Sequence, residues 1–266
     1  MRGEKTSVLG QFELKARVAI VTGAAHGLGR QHAFALAEAG ADVAICDLLE
    51  QEGERTRKEI EALGVRAWFG KVDVTVPTQI DRFVHEVEEK LGPIRILVNN
   101  AARPSEGCTL IDLGDDLWRE IIETNLSSVF YFSKRVAARM IARQTGGSII
   151  NIASINAFVI SNITPRHNVT YCVAKSAIVQ LTKGMASQWA PHNIRANALA
   201  PGYILTDQTA ASAAIPEVLQ RNINNTPMRR YGRIDELKGA IVYLASDASS
   251  FMTGSTLTID GGYTIW

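Results

Sequence analysis

The chain has 266 residues, a length that is routine for one α/β domain, and 46% of them are hydrophobic. Its 28 basic residues nearly balance 27 acidic ones, so we expect neither a nucleic-acid partner nor attachment to anionic lipid. Residues 1–15 carry charges and no long apolar run, and no later run reaches membrane-spanning length, so we expect a cytoplasmic protein with no membrane contact.

The first predicted elements are a strand, a glycine-rich turn and a helix. Val18 to Val21 form an unbroken apolar run, typical of a parallel strand buried on both faces, and a helix-forming segment follows Gly29. Gly23 permits a sharp turn, Gly27 leaves backbone N–H groups open to a pyrophosphate, and Gly29 lets the helix pack closely. The helix end is positive and favours an anion. The pattern predicts a dinucleotide site at Gly23, His26, Gly27, Leu28 and Gly29, with an ordinary strand–turn–helix connection as the alternative.

A second buried strand runs from Ala41 to Asp47 and ends in an acid 18 residues beyond Gly29. A carboxylate at this spacing accepts hydrogen bonds from the adenosine ribose and repels a 2′-phosphate. His26 and Leu48 occupy positions where a strongly basic residue would pair with that phosphate. We therefore predict NAD rather than NADP. An alternative role for Asp47 is to cap the next helix, and the two roles are compatible.

Two amphipathic helices and two strands follow in alternation, over Glu50–Leu63, Arg66–Val72, Pro77–Leu91 and Ile94–Val98. After the third strand, Asp73 and Val74 fall where an adenine ring would lie. After the fourth, Asn100 and Ala101 reach the crevice at the carboxyl ends of the strands, where open α/β sheets bind ligands. The neighbouring Asn99 either lines that crevice or joins loops together.

The next segment carries the predicted chemistry. A long helical pattern over Asp115–Arg143 has Asn125 in its middle, where asparagine is unfavourable unless its amide is used. A strand over Gly146–Ala153 delivers Ser154 to the crevice. A helix then begins at Tyr171 and places Tyr171 and Lys175 on one face. A phenol with a pKa of about 10 needs such an ammonium, together with a cationic nicotinamide, to act as a base at neutral pH.

The remaining elements complete an alternating pattern: a strand over Ile194–Leu199, a helix over Arg233–Ala245 and a strand over Thr256–Ile259. Between them Pro201 and Gly202 turn the chain, and the Ile204 backbone and Thr206 hydroxyl are expected to contact the cofactor. Residues 203–230 have weak periodicity and are expected to form a substrate lid. Cys46, Cys108 and Cys172 lack metal-ligand spacing, so we expect free thiols and no metal site.

These motifs together resemble the short-chain dehydrogenase/reductase family over nearly the whole chain. They are Thr22–Gly29, Asn99–Ala102, Asn125, Ser154, Tyr171 with Lys175, and Pro201–Gly202 with Thr206. The resemblance implies a doubly wound Rossmann-type parallel sheet of about seven strands, in one domain over residues 1–266, and a homotetramer or dimer. It also implies that Tyr171 is the acid/base, that Lys175 lowers the pKa of Tyr171 and holds the nicotinamide ribose, that Ser154 orients the substrate oxygen, and that Asn125 fixes a water.

The resemblance extends to NAD-dependent members that act on sugar alcohols and sugar acids, which implies interconversion of a secondary alcohol and a ketone. Arg103 or Arg166 could meet a substrate carboxylate, and Trp266 could reach a neighbouring subunit. One alternative is a 3-oxoacyl-thioester reductase, and another is a non-catalytic NAD-binding regulator. Two departures from the family pattern stand out: Ala102 replaces a usual glycine, and the interval between Ser154 and Tyr171 is longer than usual, with Ser161–Asn168 as the extra loop.

Overall fold

The structure is a computed structural model that describes residues 7–103, 108–160 and 168–265. Arg166 and Trp266, and most of the extra loop before Tyr171, lie outside the described residues. No helix in the described part of the chain is both long and apolar enough to cross a membrane.

Seven strands form one parallel sheet in the order β3-β2-β1-β4-β5-β6-β7. The order reverses between β1 and β4, so a crevice opens there at the carboxyl ends of the strands. The strands are β1 Val18–Thr22, β2 Asp42–Asp47, β3 Ala67–Lys71, β4 Ile94–Asn99, β5 Gly147–Ile152, β6 Ile194–Pro201 and β7 Thr256–Ile259. The predicted seven-stranded, doubly wound Rossmann-type fold is confirmed.

Helices cover both faces of the sheet. They are α1 Gly27–Glu38, α2 Glu50–Glu61, α3 Pro77–Lys90, α4 Asp115–Ile122, α5 Ser128–Ala142, α6 Val169–Trp189, α7 Asp207–Ala213, α8 Pro216–Asn225 and α9 Lys238–Ala245. Side chains of α1, α2 and α9 share one apolar core, and those of α3, α5 and α6 share the other. In α3, for example, Ile80, Phe83, Val84 and Val87 recur at helical spacing and are all buried. Burial on both faces explains the continuous apolar runs of the central strands.

Two segments differ from the sequence-based expectation. The long helix predicted over Asp115–Arg143 is α4 and α5 joined by a π-helical turn over Glu123–Ser127, which contains Asn125. The segment expected to be an irregular lid holds two short helices, α7 and α8. Thr206 caps α7 by accepting a hydrogen bond from the Thr209 N–H, and Pro216 begins α8.

Buried His32 in α1 makes the stability of the fold depend on pH. Its side chain is fully buried, and neither ring nitrogen has a hydrogen-bond partner among the described residues. Burial lowers the pKa of His32 from 6.5 to about 3, because a charged ring would lose its hydration. The unfolded chain therefore binds one more proton between these pH values, and the folded state loses stability as the pH falls below 6.5.

We expect the free energy of unfolding to fall by about 2 kcal/mol more in the wild type than in a His32→Leu variant between pH 7 and pH 5. Urea unfolding of both proteins at the two pH values measures this difference. Comparison with the variant cancels the contribution of every other titrating group. Equal losses in the two proteins would show that His32 is protonated in the folded state without penalty.

Candidate active site

A cleft of about 510 Å³ opens at the carboxyl ends of the central strands. The glycine turn, the ends of β2 and β4, the segment after β3, and residues of α4 and α6 form its wall. Its lining residues are Gly23, His26, Gly27, Leu28, Gly29, Asp47, Leu48, Val72, Asp73, Val74, Thr75, Asn100, Ala101, Ala102, Arg103, Glu120, Thr124, Ile152, Tyr171, Lys175 and Thr206. Most of the residues predicted to contact the cofactor, and two of the four predicted to be catalytic, therefore share one cavity.

The three glycines of the turn have different physical requirements. Gly23 and Gly27 have φ values of +62° and +60°, which glycine adopts without strain. A Cβ on Gly23 would lie 2.7 Å from the Ala101 Cα, whereas a Cβ on Gly27 would meet nothing within 4 Å. A Cβ on Gly29 would collide with the Gly23 carbonyl oxygen and the Asn100 side chain. The space over Gly27, at the N-terminus of α1, is the cavity expected for a pyrophosphate.

The end of β4 holds the glycine turn in place. The Asn100 side-chain amide donates to the carbonyl oxygens of Thr22 (3.0 Å) and Gly23 (2.9 Å). The Thr22 hydroxyl accepts from the N–H groups of Asn100 and Ala101, at 3.0 and 2.9 Å. Asn100 thus positions the cleft wall through its amide. The contribution of the Thr22 hydroxyl was missed by sequence reasoning, although Thr22 opens the recognised motif.

Two carboxylates at strand ends face the same cleft. Asp47 accepts from the Ala25 N–H at 3.0 Å and from the Leu49 N–H at 3.2 Å, next to the first residue of α2. Leu49 is the N-cap residue of α2 and the helix has no side-chain cap, so Asp47 holds the turn before the helix and does not cap it. Its side chain also lines the cleft. One oxygen of Asp73 accepts from both the N–H and the hydroxyl of Thr75. Its other oxygen makes no hydrogen bond to a described residue.

Tyr171 and Ser154 belong to the same part of the site. The Ser154 side chain lowers the pKa of Tyr171, and its hydroxyl accepts from the Asn156 N–H at 3.2 Å. The Tyr171 ring remains partly accessible from the cleft, yet the surrounding protein raises its pKa to about 12, because burial disfavours the phenolate. The expected lowering of this pKa therefore does not occur in the protein alone. The Ser154 side chain lowers the pKa of Tyr171, but the effect of burial is larger.

Lys175 is almost completely buried beneath Tyr171. Its Nζ lies 5.4 Å from the centroid of the Tyr171 ring and donates to the Ile152 carbonyl oxygen at 2.7 Å. Burial lowers the pKa of Lys175 from 10.5 to about 8, so the ammonium form still predominates at neutral pH. The helical spacing of residues 171 and 175 does bring the two side chains together, as the sequence predicts.

Asn125 lies behind the cleft rather than on its wall. Its amide closes a pair of hydrogen bonds with the main chain of Arg103, accepting from the N–H at 2.7 Å and donating to the carbonyl at 2.9 Å. Arg103 is thereby fixed at the cleft, where its guanidinium forms an ion pair with Glu120 of α4. Sequence reasoning did not identify Glu120, because an acid on an exposed helix face carries no distinctive pattern. The predicted role of Asn125 in fixing a water stays a prediction.

Some predicted residues serve the surrounding framework. Asn99 is buried and donates to Ser133 and Asn151, so it joins elements rather than lining the crevice. Thr206 is one of the described residues that line the cleft, whereas Pro201, Gly202 and Ile204 are not. Gly202 is required because a Cβ there would lie 2.6 Å from the Asp260 Cα. All three cysteines are free thiols, as expected, and the described residues contain no cluster suited to a metal ion.

The residues present fit a nicotinamide dinucleotide. The open space over Gly27 would suit a pyrophosphate, and Asp47, Asp73 and Val74 line the same cleft, where they would be available to the adenosine half of the cofactor. Tyr171 and Lys175 lie in the same continuous cleft as the glycine turn. The cavity therefore connects the glycine turn with Tyr171 and buried Lys175.

Comparison with known proteins identifies the family to which the chain belongs. A family model described as enoyl-(acyl carrier protein) reductase matches residues 23–264. The chain is 37% identical to 2-dehydro-3-deoxy-D-gluconate 5-dehydrogenase of Pseudoalteromonas atlantica, over 96% of this chain and 99% of that protein. It is 37% identical to the sorbose reductase of Candida albicans, over 97% and 91%.

A solved structure of a gluconate 5-dehydrogenase from Burkholderia cenocepacia, in complex with NADP and tartrate, is also similar. It has a TM-score of 0.91 and 37% identity, and the match covers 98% of this chain and all of that one. The likeness therefore includes the cleft as well as the sheet. The chain belongs to the short-chain dehydrogenase/reductase family of oxidoreductases that use a nicotinamide cofactor.

Proposed function

We propose that this protein interconverts a secondary alcohol and a ketone on a sugar acid or related polyol, with NAD as the hydride acceptor. The single observation that carries the proposal is the position of Tyr171 over buried Lys175, in the cleft that begins at the glycine turn, with Ser154 near enough to lower the pKa of Tyr171. This arrangement offers a proton acceptor and a hydrogen-bond donor to the same substrate oxygen.

Each residue of the site has its own part in the proposed reaction. Bound NAD supplies a hydride acceptor and a positive charge. Ser154 holds the substrate hydroxyl, and Tyr171 removes its proton on oxidation or returns it on reduction. Lys175, as a buried ammonium, favours the phenolate and holds the nicotinamide ribose. Asn125 supports the site through the main chain of Arg103, and Thr206, which lines the cleft, would contact the nicotinamide end of the cofactor.

Arg103 supports a sugar acid in preference to a neutral polyol. Its guanidinium lies on the cleft wall and is paired with Glu120, whose side chain is half exposed. A substrate carboxylate can take the place of the Glu120 carboxylate on this fixed guanidinium, since arginine binds carboxylates through two parallel N–H groups. Two of the similar proteins are named for gluconate derivatives, although another is a sorbose reductase.

We expect Arg103→Gln to lower kcat/KM for gluconate about thirtyfold, and for sorbitol less than threefold, because only the former offers a carboxylate to the lost guanidinium. Steady-state kinetics with the two substrates measure this ratio. Arg119→Gln is a matched control, since Arg119 lies on the same helix as Glu120 but outside the cleft lining. Equal losses for both substrates would assign Arg103 a purely structural role.

Two alternative functions are a thioester reductase and a non-catalytic regulator. The matching family model is described as an acyl carrier protein reductase, which would favour a 3-oxoacyl thioester as substrate, but such reductases normally prefer NADP and Asp47 disfavours it. A non-catalytic NAD-binding regulator has no need of Ser154, Tyr171 and Lys175 together. We also propose that residues 203–230 form a lid over the substrate and that the protein assembles as a homotetramer or a dimer.

A substrate panel tests the proposed function. Formation of reduced nicotinamide is followed by absorbance with gluconate and related sugar acids, polyols, simple secondary alcohols and a 3-hydroxyacyl thioester. We expect turnover with sugar acids and NAD. Turnover of the thioester alone would support the reductase alternative, and NAD binding without turnover of any substrate would support the regulator.

A further inference from the structure

Three arginines lie at the amino ends of the strands, on the opposite side of the sheet from the cleft, which lies at the carboxyl ends. Arg17 precedes β1, Arg95 is the second residue of β4, and Arg195 is the second residue of β6. The amino ends of parallel strands lie together, and these strands are separated only by β5. Asp247, next to the end of α9, is the carboxylate that reaches this group. We call these four residues the arginine cluster.

Two of the three arginines have defined structural partners. Arg17 forms an ion pair with Asp247, with 2.6 Å between Nη2 and Oδ2. The Arg195 guanidinium donates to the carbonyl oxygens of Leu244 at 2.9 Å and Ser246 at 3.1 Å, which ties β6 to the end of α9. Carbonyl oxygens satisfy its N–H groups, and the opposite charge that acts on it is that of Asp247, which is already paired with Arg17.

Arg95 has no such partner. It lies where the pairing of β1 with β4 shifts register, between Ile94 and Ile96, and its side chain is half-buried. Its Nε is buried without a hydrogen-bond acceptor, and its guanidinium makes no ion pair with any residue in the described ranges. A buried N–H donor without an acceptor, on a side chain that is always charged, lowers the stability of the fold. The arrangement is therefore unfavourable unless an acceptor or an anion binds to Arg95.

The charges of the cluster do not balance. Three guanidinium groups share one carboxylate, and that carboxylate is 67% exposed whereas the Arg17 side chain is 21% exposed. Burial and the nearby charge of Arg17 both lower the pKa of Arg95, and they act in the same direction on Arg195. Both side chains remain charged at physiological pH, since arginine does not lose its proton in proteins. The cluster therefore has a local excess of two positive charges.

We propose that the arginine cluster binds a phosphate dianion, either free or as a phosphate ester. A dianion matches the excess charge, and its oxygens match the planar forks of Arg95 and Arg17. The site lies at the amino edge of the sheet, so its occupancy would stabilise the fold without entering the catalytic cleft. This proposal is independent of the substrate proposed above.

Thermal unfolding in the presence of saturating NAD tests the proposal, because the cofactor keeps phosphate away from the glycine turn. At a phosphate concentration about tenfold above its Kd, we expect the midpoint to rise by about 3 °C over chloride at equal ionic strength. Inorganic phosphate and phenyl phosphate are compared. A shift with both indicates that the site accepts an ester, and a shift with the first alone indicates a free anion.

Two variants of Arg95 make the test specific. Arg95→Gln removes the free guanidinium, and the phosphate-dependent shift should disappear. Arg95→Asp supplies a carboxylate between Arg17 and Arg195, and it should raise the midpoint in chloride and abolish the response to phosphate. Arg82→Gln is the control, since Arg82 is an exposed residue of α3, and its shift should equal that of the wild type. Absence of a phosphate-specific shift in the wild type, or its retention in both Arg95 variants, would overturn the proposal.

Discussion

Replacement of Tyr171 by phenylalanine is expected to lower kcat for alcohol oxidation by about a thousandfold, the largest effect expected of any single substitution in the cleft. The phenol lies in the cleft over buried Lys175, and the Ser154 side chain lowers its pKa. Loss of its oxygen leaves the substrate proton without an acceptor. The ring itself remains, so the packing of this side chain is preserved.

The raised pKa of Tyr171 sets the pH dependence of this reaction. In the protein alone the pKa is about 12, and Lys175, with a pKa of about 8, still carries its charge at neutral pH. Oxidation requires the phenolate, so kcat/KM for the alcohol should rise with pH in the wild type. Ketone reduction requires the neutral phenol, so it should stay constant through neutral pH and fall only as the pH approaches the pKa of the phenol. Both dependences should be lost in Tyr171→Phe.

The controls for Tyr171→Phe are NAD affinity and the free energy of unfolding. Cofactor titration and urea unfolding should give values close to those of the wild type, since the glycine turn and the core are untouched. Ser154→Ala offers a comparison, because it removes the side chain that lowers the pKa of Tyr171 but leaves the phenol. A Tyr171→Phe variant with more than about a tenth of the wild-type turnover would mean that another group transfers the proton.

The sheet was predictable because its strands are marked by burial on both faces. The apolar runs from Val18, Ala41 and Ile94 are strands in the structure, with ends within two residues of those predicted. The region around Asn125 was less predictable. The helical periodicity continues through it, and only the backbone geometry shows the π-helical turn that aims its amide at Arg103. Likewise, α7 and α8 have few buried apolar residues, so hydrophobic periodicity could not indicate them.

Local sequence patterns also predicted only part of the cleft. Spacing along α6 was enough to bring Tyr171 and Lys175 together, because a helix fixes residues four positions apart. The pairing of Arg103 with Glu120 depends instead on the tertiary placement of α4 beside the segment that follows β4, which no local pattern records. Asn99 illustrates the opposite case, since its position at a strand end suggested the crevice, whereas its contacts with Ser133 and Asn151 join buried elements.

Asp47 carries the second large prediction, which concerns the choice of cofactor. Its carboxylate lines the cleft at the end of β2, is held there by the Ala25 and Leu49 N–H groups, and stands beside His26 and Leu48. A 2′-phosphate at this position would face a fixed negative charge, whereas ribose hydroxyls would donate to it. The similar gluconate 5-dehydrogenase structure contains NADP, so membership of the family does not decide the preference.

We expect Asp47→Asn to raise the ratio of kcat/KM with NADP to that with NAD about a hundredfold, equivalent to about 2.7 kcal/mol. The amide oxygen still accepts from the Ala25 N–H, so the glycine turn keeps its shape while the charge is lost. The weaker contact to Leu49 affects both cofactors equally and cancels in the ratio. Asp73→Asn, a change of the same size on the adenine side of the cleft, should leave the ratio within about threefold of the wild type. A wild type that already uses both cofactors equally would instead show that the ribose hydroxyls do not bind at Asp47, and the adenosine half of the site would have to be placed elsewhere in the cleft.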